Sequence, residues 1–180
     1  MLKVEAKTSE LIDSQVTVAI LNRTNYQEQR LSLIRKLSQA YNKICYITTN
    51  KPYFTLQREL EGAGIDKQKF AFLDATPSDG QVDSEIHGNT IIIGSPSNLN
   101  DISIGFSQLL KETMFDYAIF DSVETLGLYL DWKNVVRFIH TLLAKIRKTA
   151  SNIVFLTSGT EEISKELYVF ADKVVNMVDS

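Results

Sequence analysis

The sequence predicts an α/β protein in three layers, a mainly parallel central sheet with helices on both faces. Three observations carry this. Short apolar, β-branched runs alternate with helix-period segments along the whole length, the pattern of successive βαβ units joined by right-handed crossovers. Several of those runs, VTVAIL, KICYIT, YAIF and NIVFLT, are apolar without alternation, as strands buried on both faces are. The run from Phe115 to Leu126, FDYAIFDSVETL, delivers an acidic residue to the carboxyl end of such a strand, where open α/β sheets place their chemistry.

Residues 1–14 are mixed and polar, a lead-in segment. Val16–Leu21 is the first strand. Asn22 to Asn25 is a turn, with Thr24 or Asn25 suited to cap the next helix. That helix has Leu31, Ile34, Leu37 and Tyr41 on one face and Arg30, Arg35 and Lys36 mostly off it. Lys43–Thr48 is the second strand. Pro52 suits the first turn of a helix carrying Phe54, Leu56 and Leu60, which Gly62 or Gly64 ends. Lys69–Leu73 is the third strand, closed by Asp74. Residues 75–89 read as an irregular surface loop, polar and rich in turn formers.

Thr90–Gly94 is the fourth strand. Asn98 or Asn100 caps a helix with Ile102, Phe106, Leu109 and Leu110 inward. The fifth strand is the Phe115–Leu126 run. After it Asp131 caps the most periodic helix, Trp132, Val135, Val136, Ile139, Leu142, Leu143 and Ile146. Lys145, Arg147 and Lys148 crowd its last turn, favourable at the negative end of the helix dipole. Asn152–Thr157 is the sixth strand, Ser158 to Glu161 reads as a capping box, and 171–178 is a closing strand. No linker, repeat or low-complexity stretch interrupts 180 residues, so one domain spans the chain.

The charge balance is 19 basic against 22 acidic residues, net −3, so no global field draws the chain to nucleic acid or anionic lipid. A single cysteine, Cys45, excludes an intrachain disulfide and a multi-cysteine metal site. Its apolar surroundings point to a buried, inert thiol. The absence of a membrane-length apolar stretch and of a signal-peptide core sets the expectation of a soluble, cytoplasmic protein. His87 with Asp83 and Glu85 is a weak metal pattern, His140 reads as a helix-surface residue, and no serine sits on a G-x-S-x-G elbow.

The second half resembles the RecA-like ATPase core, in particular KaiC/RadA-type single domains. FDYAIFDSVETL resembles the Walker B strand, VVRFIHTLLAKIRKTASNIVFLTS the helix and strand after it, and ELYVFADKVVNM the closing segment. In the first half, TLQRELEGAGIDKQKFAFLD resembles the second helix and third strand. Together these cover most of residues 16–178. The resemblance implies a RecA-like fold, edge-to-edge association with copies or related subunits, and an archaeal-type source.

The departures from that family bear on function. It grips nucleotide phosphates with G-x-x-x-x-G-K-[ST] after the first strand, the glycines letting backbone N–H groups close around the phosphates. Here Leu21–Leu33 reads LNRTNYQEQRLSL, with no glycine and no lysine. The resemblance places catalytic carboxylates after the second strand, where this chain has Thr48, Thr49 and Asn50, which cannot act as a carboxylate base. Asp121, followed by Ser122, survives from the hydrolytic set.

The expected crevice therefore comprises Asn22, Arg23, Thr24, Asn25, Tyr26, Thr49, Asn50, Asp121 and Ser122, with no catalytic residue, metal or cofactor assigned. The expectation is a non-catalytic pseudo-ATPase domain acting through a protein partner, through self-association or by sensing a ligand. One alternative is a nucleotide-binding ATPase with an altered phosphate loop. Another is a recombinase-paralogue-like accessory factor that contacts DNA through Lys145, Arg147 and Lys148. The acidic balance does not favour nucleic acid.

Overall fold

The computed structural model describes residues 14–78, 85–159 and 162–177. Residues 1–13 of the lead-in segment, Asp83 of the weak metal pattern, Thr160 and Glu161 of the capping box, and 79–84 of the expected loop lie outside these residues.

The strands are β1 (Val16–Ile20), β2 (Ile44–Thr48), β3 (Phe70–Asp74), β4 (Glu85–His87), β5 (Thr90–Ile92), β6 (Tyr117–Asp121), β7 (Asn152–Thr157) and β8 (Lys173–Asn176). The helices are α1 (Tyr26–Ala40), α2 (Tyr53–Gly62), α3 (Leu99–Thr113), the single turn α4 (Val123–Leu126), α5 (Trp132–Ile146) and α6 (Glu162–Phe170). One sheet holds all eight strands in the order β4-β5-β3-β2-β6-β7-β1-β8. Every pairing is parallel except β4 with β5.

Alternation along each strand divides the core in two. Ile44, Tyr46, Phe72, Tyr117 and Ile119 face α1 and α2, where Leu33, Ile34, Leu37, Leu56 and Leu60 meet them. Cys45, Ile47, Leu73, Ala118, Phe120 and Phe155 face α3 and α5, meeting Ile102, Phe106, Val135 and Ile139. Three layers result, as the run of double-sided apolar strands requires. On the second face α3 comes close to the sheet at Gly105, where a Cβ would lie 2.8 Å from Leu73 Cδ1. Cys45 is fully buried, and burial pushes its thiol up, away from the reactive thiolate.

Three local readings are corrected. Residues 85–87 are not loop but the edge strand β4, joined to β5 through Gly88 in a left-handed conformation (φ 59°). All three are exposed, so the burial alternation that reveals strands is missing there, although Gly-Asn between two extended runs is a hairpin signal. Pro52 is the residue before α2 rather than a member of its first turn. The Tyr53 N–H is instead taken by Asp74 Oδ2 at 2.7 Å, from the end of β3. Asn25 precedes α1 without a side-chain cap bond, whereas Asn98 and Asp131 cap α3 and α5 as expected.

The order of the strands sets the position of the site. β1 lies beside β7 and β8, but the chain leaves it through α1 to reach β2, two strands beyond β7. The crossover carries α1 over the β6 region, so its first turns sit above the carboxyl end of β6. That is the topological switch point of an open α/β sheet.

Candidate functional site

Asp121 is the last residue of β6 and is fully buried. Strand alternation places it on the face of Tyr117 and Ile119, beneath α1. Its carboxylate is surrounded by donors of its own chain. The Tyr26 hydroxyl donates to Oδ1 at 2.8 Å and the Asn50 amide at 3.4 Å. The Tyr46 hydroxyl donates to Oδ2 at 2.6 Å and Arg30 Nη1 at 3.3 Å. Four donors from α1, β2 and the β2–α2 loop thus saturate one carboxylate.

The cation in this network is Arg30, whose side chain is 2% exposed. The sequence places it off the buried face of α1; the structure puts it on that face. It lies four residues after Tyr26 and four before Ile34, on the same helical stripe. A guanidinium can be buried there because Asp121, Tyr46 and Glu59 all receive it. Glu59, from α2, forms close ion pairs with both Arg30 and Lys51, and Lys51 also reaches Gln27 Oε1 at 3.3 Å.

Burial opposes the charge on Arg30, but the Tyr46 oxygen, Asp121 and Glu59 outweigh it and keep the guanidinium charged. Burial, reinforced by Asp121, pushes the phenols of Tyr26 and Tyr46 well above the ordinary tyrosine value. For Glu59, burial works against ionisation, but the bonds and charges of Lys51 and Arg30 prevail and lower its value.

A lowered carboxylate value stabilises the fold fully above 4.5, the ordinary value, and the contribution is lost as pH falls through the folded-state value. Glu59→Gln is therefore expected to flatten the acid limb of stability against pH, read by urea unfolding between neutral pH and the carboxylate range. An unchanged acid limb would remove Glu59 from the set of groups that govern it.

The remaining expected crevice residues divide by role. Thr49 is fully buried and fastens β2 to β6. Its N–H donates to the Asp121 carbonyl at 3.0 Å, its hydroxyl donates to the Ser122 carbonyl at 2.9 Å, and the hydroxyl accepts from the Ser122 N–H at 3.2 Å. Ser122 itself is buried and its hydroxyl meets that of Thr125 at 3.3 Å. Both serve the frame rather than the crevice.

Asn22 organises the β1–α1 loop. Its N–H donates to Gln29 Oε1 at 2.7 Å, its Oδ1 accepts from the Thr24 N–H at 2.9 Å, and its carbonyl accepts from the Asn25 N–H at 3.2 Å. Arg23, Thr24 and Asn25 are exposed on this loop. The loop therefore turns the Thr24 and Asn25 N–H groups onto Asn22 and the Asn22 N–H onto Gln29 of α1. No residue from 21 to 26 has the left-handed backbone that would alternate with right-handed neighbours to form an anion nest.

Between this loop, Gln27, Asn50 and Lys51, a cleft of about 290 Å³ remains, with Tyr26, Arg30 and Asp121 at its inner end. On the other side of Tyr26, Glu124 Oε1 accepts from the Ser158 N–H at 2.7 Å and from the Thr157 hydroxyl, linking α4 to the end of β7.

Arg30, Tyr46 and Glu59 are the site residues that sequence reasoning missed. Period-two alternation could have found Tyr46, because Tyr46 in β2 and Asp121 in β6 lie on one face. The i, i+4 spacing could have found Arg30. Glu59 carries no local signal, since it reaches the site from α2.

The basic group at the end of α5 is spread over separate partners. Lys145 Nζ donates to the carbonyl and hydroxyl of Ser103, both at 2.6 Å, and Arg147 pairs with Asp172 at 3.0 Å. Lys148 is exposed. His140 is exposed and lies edge-on to Phe170, with ring centroids 4.1 Å apart. His87 pairs with Glu85 at 3.0 Å, and no group of three metal-ligating side chains occurs among the described residues.

No family model matches the chain, and no curated protein does. Solved structures do match. One is a KaiC-like protein from the hyperthermophilic archaeon Pyrococcus horikoshii OT3, with a TM-score of 0.62 and 16% identity over 91% of this chain and 72% of that one. Identity this low establishes the fold alone, a RecA/KaiC-like α/β sheet. No helix among the described residues is long and apolar enough to cross a membrane.

Proposed function

We propose that this chain is a non-catalytic RecA/KaiC-like domain that works as a protein-interaction or regulatory, ligand-sensing module, with a protein partner or further copies of itself as its counterpart. One observation carries the reading: the Asp121 carboxylate is occupied by Tyr26, Tyr46, Arg30 and Asn50. A carboxylate that is to position a hydrated Mg²⁺ needs free lone pairs facing solvent or phosphate. Here those positions are held by two phenols, an amide and the chain's own cation.

The β1–α1 loop supports the same reading. The amides of Asn22, Thr24 and Asn25 are bonded to Gln29 and to Asn22 itself, and the loop backbone lacks the left-handed residue of a nest, so the residues present do not fit a nucleoside triphosphate. The buried Arg30–Asp121–Glu59 network stabilises the switch point in place of a bound ligand, and the fold is the part that association would use.

Mg-ATP and Mg-GTP are expected to leave the melting temperature unchanged. A ligand bound at a hundred times its dissociation constant stabilises by about 2.7 kcal/mol, and for a chain of this size each kcal/mol shifts the melt by about 2–4 °C. A binder would therefore be plain in a thermal scan. Micromolar binding with turnover that Asp121→Ala abolishes would overturn the non-catalytic reading.

The second reading, an altered nucleotide site, draws on the 290 Å³ cleft and its Arg23, Arg30 and Lys51 lining. Those cations make it the competitor that the melting experiment addresses. For contact with DNA through Lys145, Arg147 and Lys148, the bonds of Lys145 to Ser103 and of Arg147 to Asp172 leave Lys148 as the readiest phosphate donor.

A further inference from the structure

At the opposite edge of the sheet, where the strands begin and the helices end, lies a cleft of about 550 Å³. It is of small-molecule size. Tyr41 at the end of α1, Leu110 and Met114 of α3 and its cap, Phe115 and Asp116 before β6, and Ala150 before β7 contribute to its lining. No lysine or arginine lines it, and Asp116 is its one charged lining residue.

Three features give this cleft a negative character. First, the carboxyl end of α3 is open. The ends of α1, α2 and α5 receive backbone N–H groups, from Tyr41 to the Leu37 carbonyl, from Ala63 to that of Glu59, and from Arg147 to that of Leu143. Among the described residues, no backbone N–H from beyond α3 reaches the carbonyls of Leu110, Lys111, Glu112 or Thr113, of which Leu110 lines the cleft, and Lys111 is the basic residue of that last turn. Carbonyls at a helix end carry the negative pole of the helix dipole and call for a donor or a cation.

Second, the break that leaves them open is at Met114, the one non-glycine residue with positive φ among the described residues (φ 45°, ψ 54°). A linear side chain is disfavoured there, and such backbone strain clusters at ligand sites. It also leaves the Met114 side chain 68% exposed at the rim. Third, Asp116 is exposed, makes no ion pair among the described residues, and uses Oδ2 alone, on the Lys43 N–H at 3.2 Å. Beside these acceptors one part of the wall is apolar, with Leu110, Met114, the buried Phe115 and the Tyr41 ring, which packs on Tyr117 at 4.9 Å, and the rest is polar, with Asn42, Thr149, Ser151 and Asn152.

We propose that this cleft binds a small organic cation, an ammonium or guanidinium group on a short apolar body. The cationic head would sit at Asp116 and the open end of α3, and the body against Leu110, Met114 and Tyr41. The proposal is independent of the Asp121 crevice, which lies at the carboxyl end of the strands, and stands or falls apart from the non-catalytic reading.

The probe is 2-phenylethylamine, with 2-phenylethanol as its uncharged counterpart, followed by NMR titration and thermal melting of the full chain. The amine is expected to bind saturably at millimolar concentration, to perturb residues around Met114 and Asp116, and to weaken as salt rises. The alcohol is expected to bind at least tenfold more weakly.

Asp116→Asn keeps an acceptor for the Lys43 N–H, so the fold is retained, and it should lower amine affinity at least tenfold. Ala150→Tyr, at an exposed position, fills the cleft and should abolish binding by a separate route. Equal binding of alcohol and amine, full amine affinity in both variants, or no binding of the amine at millimolar concentration would each overturn the proposal.

Discussion

Arg30→Met is expected to destabilise the protein by about 3–5 kcal/mol, the usual cost of removing one member of a buried ion pair. The substitution keeps the volume and helix propensity of the position, so the loss is electrostatic. It leaves the Asp121 carboxylate, 1% exposed, with neutral donors only. Glu59, 18% exposed, retains Lys51 and suffers less.

The companion substitution Asp121→Asn removes the stranded charge, so the double variant should recover a substantial part of the loss. That non-additivity is the signature of a direct pair. Urea unfolding of the two single variants and the double variant measures it. A loss below about 1 kcal/mol for Arg30→Met, or strictly additive losses, would mean that the pair does not hold the switch point together. The result matters for function because a site closed by its own strong ion pair has little to gain from a ligand cation at the same carboxylate.

How far this arrangement could be read from the sequence follows from the range of each signal. Strand and helix order depends on local periodicity, and the double-sided strands and the Asn98 and Asp131 caps are found where the pattern puts them. β4 escapes because an exposed three-residue edge buries nothing and so shows no alternation. The position of Asp121 at the end of β6 is legible, and so is the absence of glycine from the loop that faces it.

What fills the crevice is not legible in the same way. Arg30 looks like a solvated helix residue because charge normally marks the outer face. Its burial depends on Asp121, ninety-one residues away, and on Glu59 from another helix. Composition cannot report such a three-element coincidence, and only the i, i+4 relation to Tyr26 hints at it. The Asp74 carboxylate that caps α2 is similar: a strand end supplies the cap that Pro52 does not.

The second large effect is expected at high pH, and it tests the same network from the side of its phenols. Tyr26, Tyr46 and Tyr117 are pushed above the ordinary value of 10.0, in each case first by burial. For Tyr26 and Tyr46 the Asp121 carboxylate adds to it, since a phenolate would face a carboxylate it now serves as donor. A raised folded-state value means that the native state keeps its protons while the unfolded chain loses them. The stabilisation is thus fully present below pH 10 and is lost as pH rises past it.

Each such phenol contributes a slope of about 1.4 kcal/mol per pH unit, so the three together cost about 4 kcal/mol per unit above pH 10. A stability typical of single domains cannot withstand much of that, and unfolding should set in cooperatively within one or two units. Of the seven tyrosines, those three should become tyrosinate, read by ultraviolet absorbance, only as the fold is lost. Lysines titrate in the same range, so the decisive comparison is Tyr26→Phe, which removes one phenol and should make the alkaline limb shallower by about a quarter to a third. If all seven phenols titrate together with the fold intact, Tyr26 and Tyr46 are open to solvent, and the carboxylate they are taken to occupy is free for a ligand after all.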